Sequence, residues 1–137
     1  MASFSSSPLV SMEALHDLEE ALDGQPVLCR GFVGRYVEMW PQRNKRIRDA
    51  VAARDWDEAT EATLSLYSSS AMVGAAKLGQ VAESLVVLLK EGRYGNVAET
   101  LADLEECGNL TTRELTTSYV RPAVRNPRPR RMPEVRP

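Results

Sequence analysis

One histidine and two cysteines are all that 137 residues offer for soft-metal or thiol chemistry. Cys29 and Cys107 stand far apart in the chain, outside any C-x-x-C pairing, and His16 is the lone imidazole. The clustered donors that a structural zinc site needs are therefore missing, and neither a metal nor another cofactor is expected. Without an export signal, two free and buried thiols are the expectation rather than a bridge. Long hydrophobic runs are absent too: the longest is residues 85–89, against the ~20 residues that cross a bilayer. The Ser-rich start has no basic stretch followed by an apolar one, as a leader would have. No membrane span and a cytoplasmic location are expected. Nothing alternates with period two for long enough to make a strand, and no internal repeat is visible.

What is present divides by charge. Behind a formal net charge of −2, residues 1–120 carry 18 acidic and 11 basic side chains, a balance of −7, while residues 121–137 carry six arginines against Glu134, a balance of +5. Five of the eight prolines also fall in residues 121–137, a composition that neither holds a helix nor buries much surface. Three parts are expected: a flexible N-terminus at 1–8, a helical domain at 9–120, and a flexible Pro/Arg-rich tail at 121–137. The tail lacks interleaved aromatics and hangs on an acidic body, so no specific nucleic-acid partner is expected.

Helical periodicity runs through the middle part. Leu15, Leu18 and Leu22 share one face of a first helix, stopped by Gly24. Pro26 suits the first turn of a second helix over about residues 27–40, which Pro41 then kinks or restarts. A basic stretch follows, with Arg43, Lys45, Arg46 and Arg48. Asp55 caps a segment beginning at Trp56 and reaching about Val73, and Gly74 either turns the chain or sits in a bent continuous helix. Residues 76–90 carry the clearest stripe, with Leu78, Val81, Ala82, Leu85, Leu88 and Leu89, ended by Glu91 and Gly92. Asn96 caps a last helix that either stops at Gly108-Asn109 or resumes at Thr111, with Glu114 completing a capping box, to about Tyr119. The fold class is all-α, an antiparallel helical bundle with short connections.

Residues 64–75 read Leu-Ser-Leu-Tyr-Ser-Ser-Ser-Ala-Met-Val-Gly-Ala. This resembles the signature of histidine phosphotransfer domains, roughly His-x-Leu-Lys-[Gly/Ser]-Ser-Ser-x-x-x-Gly-Ala. Leu66, Ser69, Ser70, Gly74 and Ala75 match its structural positions. Leu64 stands where the family has the phosphoacceptor histidine, and Tyr67 where it has a lysine. The order of segments from about residue 15 to 110 is also similar to that family. The resemblance implies an antiparallel four-helix bundle with an additional N-terminal helix, in a bacterial type of two-component signalling.

The substitutions remove chemistry. Phosphoryl relay needs a nitrogen nucleophile partly neutral near pH 7, which imidazole supplies; leucine has no lone pair. A lysine offers charge to phosphoryl oxygens; tyrosine at neutral pH does not. At 100° per residue, Ala59, Ala62, Leu66, Ser69 and Val73 form an inward stripe, leaving Leu64, Tyr67, Ser68 and Ala71 outside. The resemblance thus implies a protein that is not an enzyme: a pseudo-phosphotransfer module whose Leu64, Tyr67, Ser68 and Ala71 meet a response-regulator receiver domain or a sensor kinase. Two other readings stand beside it. One is active phosphotransfer through His16, although Asp17, Glu19 and Glu20 around it would repel phosphate. The other is a scaffold or dimerisation element acting through the basic tail.

Overall fold

The computed structural model describes residues 9–120. They form α1 (Met12–Ala21), α2 (Pro26–Ala52), α3 (Trp56–Met72), α4 (Ala76–Lys90), a 3-10 turn (Tyr94–Asn96), α5 (Val97–Leu115) and a closing π-helical turn (Thr116–Val120). No strand occurs among the described residues. The segments 1–8 and 121–137, expected to be flexible, lie outside them.

Contacts between helices pass from α2 to α3, α3 to α4, α4 to α5 and back to α2, while α1 rests on α2 and α3. Leu15, Val33, Ile47, Leu66, Leu78, Leu85, Leu104 and Leu115 are fully buried between them. The stripe expected for α4 is the one it turns inward: Leu78, Ala82, Leu85 and Leu89 are buried, and Val81 and Leu88 partly so.

The helix ends follow a shared hydrogen-bond pattern. After α3, the Ala75 amide donates to Ser70 O at 2.8 Å and Gly74 N to Ala71 O at 3.4 Å, a Schellman closure with Gly74 at φ +76°. Gly74 therefore ends α3, and the alternative of a bent continuous helix is excluded. The same closure follows α1 and α2, but there the left-handed residues are Asp23 (φ 60°) and Arg54 (φ 58°). Asp23, rather than Gly24, turns the chain first. At the other ends, Ser11 Oγ accepts from Ala14 N at 3.2 Å and Asp55 Oδ1 from Glu58 N at 3.2 Å, so each satisfies an amide of a first turn.

Three expectations are corrected. Pro41 does not divide α2, which is one helix of 27 residues. Pro41 is exposed, so the hydrogen bond it removes falls on the solvent side, while buried Trp40, Asn44 and Ile47 anchor the helix before and after it. Asn96 stands at the N-cap of α5, but its side chain caps no amide. Gly108-Asn109 does not stop α5, and Thr111 is a buried residue of the helix interior rather than a cap. Gly108 makes room for Trp40, whose ring would overlap any Cβ there; Trp40 Nε1 donates to Asn109 Oδ1 at 2.9 Å. A pair that reads as a stop in sequence is the seat of a tryptophan 68 residues earlier.

Gly108→Ala is expected to lower stability by about 1–3 kcal/mol, the usual cost of overpacking. Gly31→Ala, within α2 where a Cβ meets nothing within 4 Å, should raise stability by about 0.5–1 kcal/mol. Denaturant unfolding of the two variants measures both.

Candidate functional site

Leu64 lies midway along α3. Its inner neighbours Ala59, Ala62, Leu66 and Val73 are buried, Ser69 partly so, and Ser70 completely. Outward, Leu64 is 38% and Tyr67 37% exposed, and Ser68 and Ala71 are exposed too. The four residues thus lie outside the core, on the ridge that a 100° step places there.

That ridge borders two separate hollows with α4. Leu64 shares one with Thr60, Lys90 and the stacked pair Trp56–Tyr94, whose rings lie 4.0 Å apart and 5° from parallel. This stack fixes the turn before α5 against the start of α3. Tyr67 and Ala71 share the other hollow with Gln80, Glu83, Ser11 and Ala14. Carboxylates flank both, Asp57 and Glu61 at one and Glu83 at the other.

The structural positions of the motif serve packing. Gly74 sits under the segment leading into α1: its carbonyl accepts from Ser11 N at 2.7 Å, and a Cβ on it would come 2.6 Å from Ser11 O. Ala75 is fully buried. Ser70 Oγ bonds the Tyr36 hydroxyl at 2.6 Å across the α2–α3 contact. Sequence reasoning missed this bond. The available signal was a tyrosine on the apolar stripe of α2, since a buried phenol needs a partner.

His16 stands on the exposed side of α1, 3.3 Å from Glu20 Oε2. Glu13, Asp17, Glu19, Glu20 and Asp23 give that helix and its end five carboxylates and no lysine or arginine. The basic stretch of α2 is largely engaged within the fold: Arg46 pairs with Glu58 at 2.6 Å, Arg48 with Glu105 at 3.7 Å and Lys45 with Asp49 at 2.7 Å. The Arg46 bond holds the Glu58 carboxyl below its usual range. Cys29 and Cys107 are both free and buried, and burial pushes the Cys107 thiol up. Among the described residues no group of three His, Cys, Asp or Glu could hold a metal ion, and no helix is long and apolar enough to cross a membrane.

Burial pushes the Tyr36 phenol from 10.0 up to about 12, with the Ser70 hydroxyl pulling weakly the other way. The folded value lies above the unfolded one, so the stabilisation is complete below pH 10 and is lost as the pH rises toward 12. Alkaline unfolding should therefore show a component in that window. In Tyr36→Phe the component should vanish, with about 1 kcal/mol lost at neutral pH from the broken bond. Phenolate absorbance followed alongside circular dichroism checks both.

Comparison with protein-family models, with curated proteins and with solved structures finds no match for this chain.

Proposed function

We propose that this chain is a degenerate histidine phosphotransfer module that docks on a receiver domain or sensor kinase of a two-component phosphorelay without passing phosphate. In this reading α2–α5 form the antiparallel four-helix bundle and α1 is the additional N-terminal helix. The closed circuit of contacts through α2, α3, α4 and α5, with α1 resting on the outside of two of them, supports that arrangement.

One observation carries the proposal. Leu64 stands exposed in the middle of α3, in a segment whose Ser70, Gly74 and Ala75 are buried as packing positions. The segment keeps what a helix needs for packing and shows an aliphatic side chain where the resembled family shows its reacting imidazole. Burying Leu64 and Tyr67 against a partner would contribute roughly 1.5–3 kcal/mol each before the costs of ordering. Thr60, Ser68 and Lys90 supply a polar border around that apolar centre, the common plan of a docking surface.

Calorimetric titration with the receiver domains of the same genome tests this. Saturable binding to at least one is expected, weakened about tenfold or more by Leu64→Asp and by Tyr67→Glu. These residues lie outside the core, so the variants should keep the wild-type helical circular dichroism. Absence of heat with every receiver, phosphorylated or not, rejects the proposal.

A further inference from the structure

The outer face of α1 carries carboxylates without a matching lysine or arginine. α1 turns Leu15 into the core and rests on α2 and α3, leaving Glu13, His16, Asp17 and Glu20 exposed, with Asp23 exposed just beyond its end. At about 100° per residue, Glu13, Asp17, Glu19, Glu20 and Asp23 fall within an arc of roughly 160°. Glu13 and Asp17, and likewise Glu19 and Asp23, stand one turn apart, where like charges destabilise a helix. Glu19, Glu20 and Asp23 also sit at the C-terminal end, where the helix dipole is itself negative, and the last turn has no basic residue to offset them. None of the five pairs with a lysine or arginine among the described residues.

The described chain ends beside this face. Tyr119 donates its hydroxyl to Glu19 Oε2 at 2.5 Å, and with Ser118 it borders a hollow of about 320 Å³ shared with Met12 and Leu15 of α1. After Val120 the sequence continues through residues 121–137, with six arginines against Glu134. We infer that this arginine-rich segment occupies the outer face of α1 in its own chain. Its balance of +5 meets five carboxylates, and guanidinium forks suit carboxylates in bidentate pairs. Arg128 and Arg130 would stand about 6–7 Å apart on an extended backbone, close to the roughly 6 Å of rise between Glu13 and Asp17. Reach is ample: from Val120, even residues 121–128 extend to roughly 25 Å, against roughly 15 Å of helix rise from Glu13 to Asp23. Being tethered, the segment meets α1 at an effective concentration of roughly millimolar, which favours it over the same segment of a second copy. The occupied face belongs to α1 and the docking ridge proposed above to α3, so neither inference depends on the other.

Paramagnetic relaxation measured by NMR on the full chain tests this. Cys29 and Cys107 are buried, so a nitroxide label goes to the cysteine introduced by Met132→Cys, next to Arg131. The amides of Glu13, Asp17 and Glu20 should lose most of their signal, while exposed Val87 on α4 keeps its own. The loss should disappear in ~1 M salt, where the screening length falls to about 3 Å. It should also disappear in Asp17→Lys with Glu20→Lys, and in Arg128→Glu with Arg130→Glu, and return when all four changes are combined. If the α1 variant fails to fold, as circular dichroism would reveal, the arginine variant and the salt series carry the comparison. A mixture of isotope-labelled chains lacking the nitroxide with nitroxide-bearing chains lacking the isotope separates the sources of the segment. Equal signal loss on α1 in that mixture assigns the contact to a second copy and overturns the inference. So does an α1 without signal loss in the labelled chain, or a loss that salt and the charge reversals leave unchanged.

Discussion

The reversal at Gly74 sets the position of everything that α3 presents. Its left-handed backbone closes the last turn of α3 and starts α4 two residues later, so the outer ridge of α3 and the facing ridge of α4 are held side by side. Its carbonyl also ties down Ser11, the cap of α1, and Leu9 O accepts from Lys77 N at 3.4 Å just beyond. A residue with a Cβ would need an unfavourable φ and would meet Ser11 O. One backbone position thereby couples the α3–α4 turn, the entry to α1 and the hollow that Tyr67 and Ala71 line.

The remaining geometry follows from small side chains on the inner face of α3. Ala59, Ala62 and Ser70 are buried where larger residues would push the neighbouring helices apart. Close approach on both flanks gives α3 two edges of different composition. Toward α4 the edge is aliphatic and aromatic, with carboxylates at its margins; toward α2 it is hydroxyl and guanidinium. The charges of the body are sorted in the same way, with acids on α1 and bases on the second half of α2, where most are consumed by pairs with α3, α5 and α2 itself. Exposed pairs of this kind contribute little to stability, but they leave Arg35 and Arg43 as guanidiniums of that face with no carboxylate partner among the described residues.

Local signals in the sequence were legible and distant ones were not. Leucine spacing, Pro26 at a first turn and Asp55 at a cap act within four residues, and the described fold has all of them. The same holds for which side of α3 is outward, because a fixed rotation per residue determines it. Gly108 was misread because its reason lies on another helix, in Trp40. Pro41 does not restart the helix, because a helix tolerates a lost bond on its exposed side when buried anchors flank it. Asp23 and Arg54 carry no glycine signal for the left-handed turns they make. The division of the Leu64–Ala71 ridge into two hollows depends on Tyr94, Lys90, Gln80 and Glu83, residues that no property of α3 alone could bring there.

The side of α3 that packs and the side it shows are built from different residues. The groups that hold it are Ala59, Ala62, Thr63, Leu66 and Ser70, with Thr63 Oγ1 returned to Ala59 O at 2.7 Å and Ser70 joined to Tyr36. The groups it shows are a separate set one side over. A change of side chain on the shown side alters the chemistry of the surface while leaving the packed side untouched, and an exposed leucine by itself costs a fold little. Leu64 and Tyr67 one turn apart, over hollows edged by charge, make more of a surface than a lone leucine does. The residues that pack α3 and the residues it exposes are therefore different sets on one helix, and each can be changed without the other.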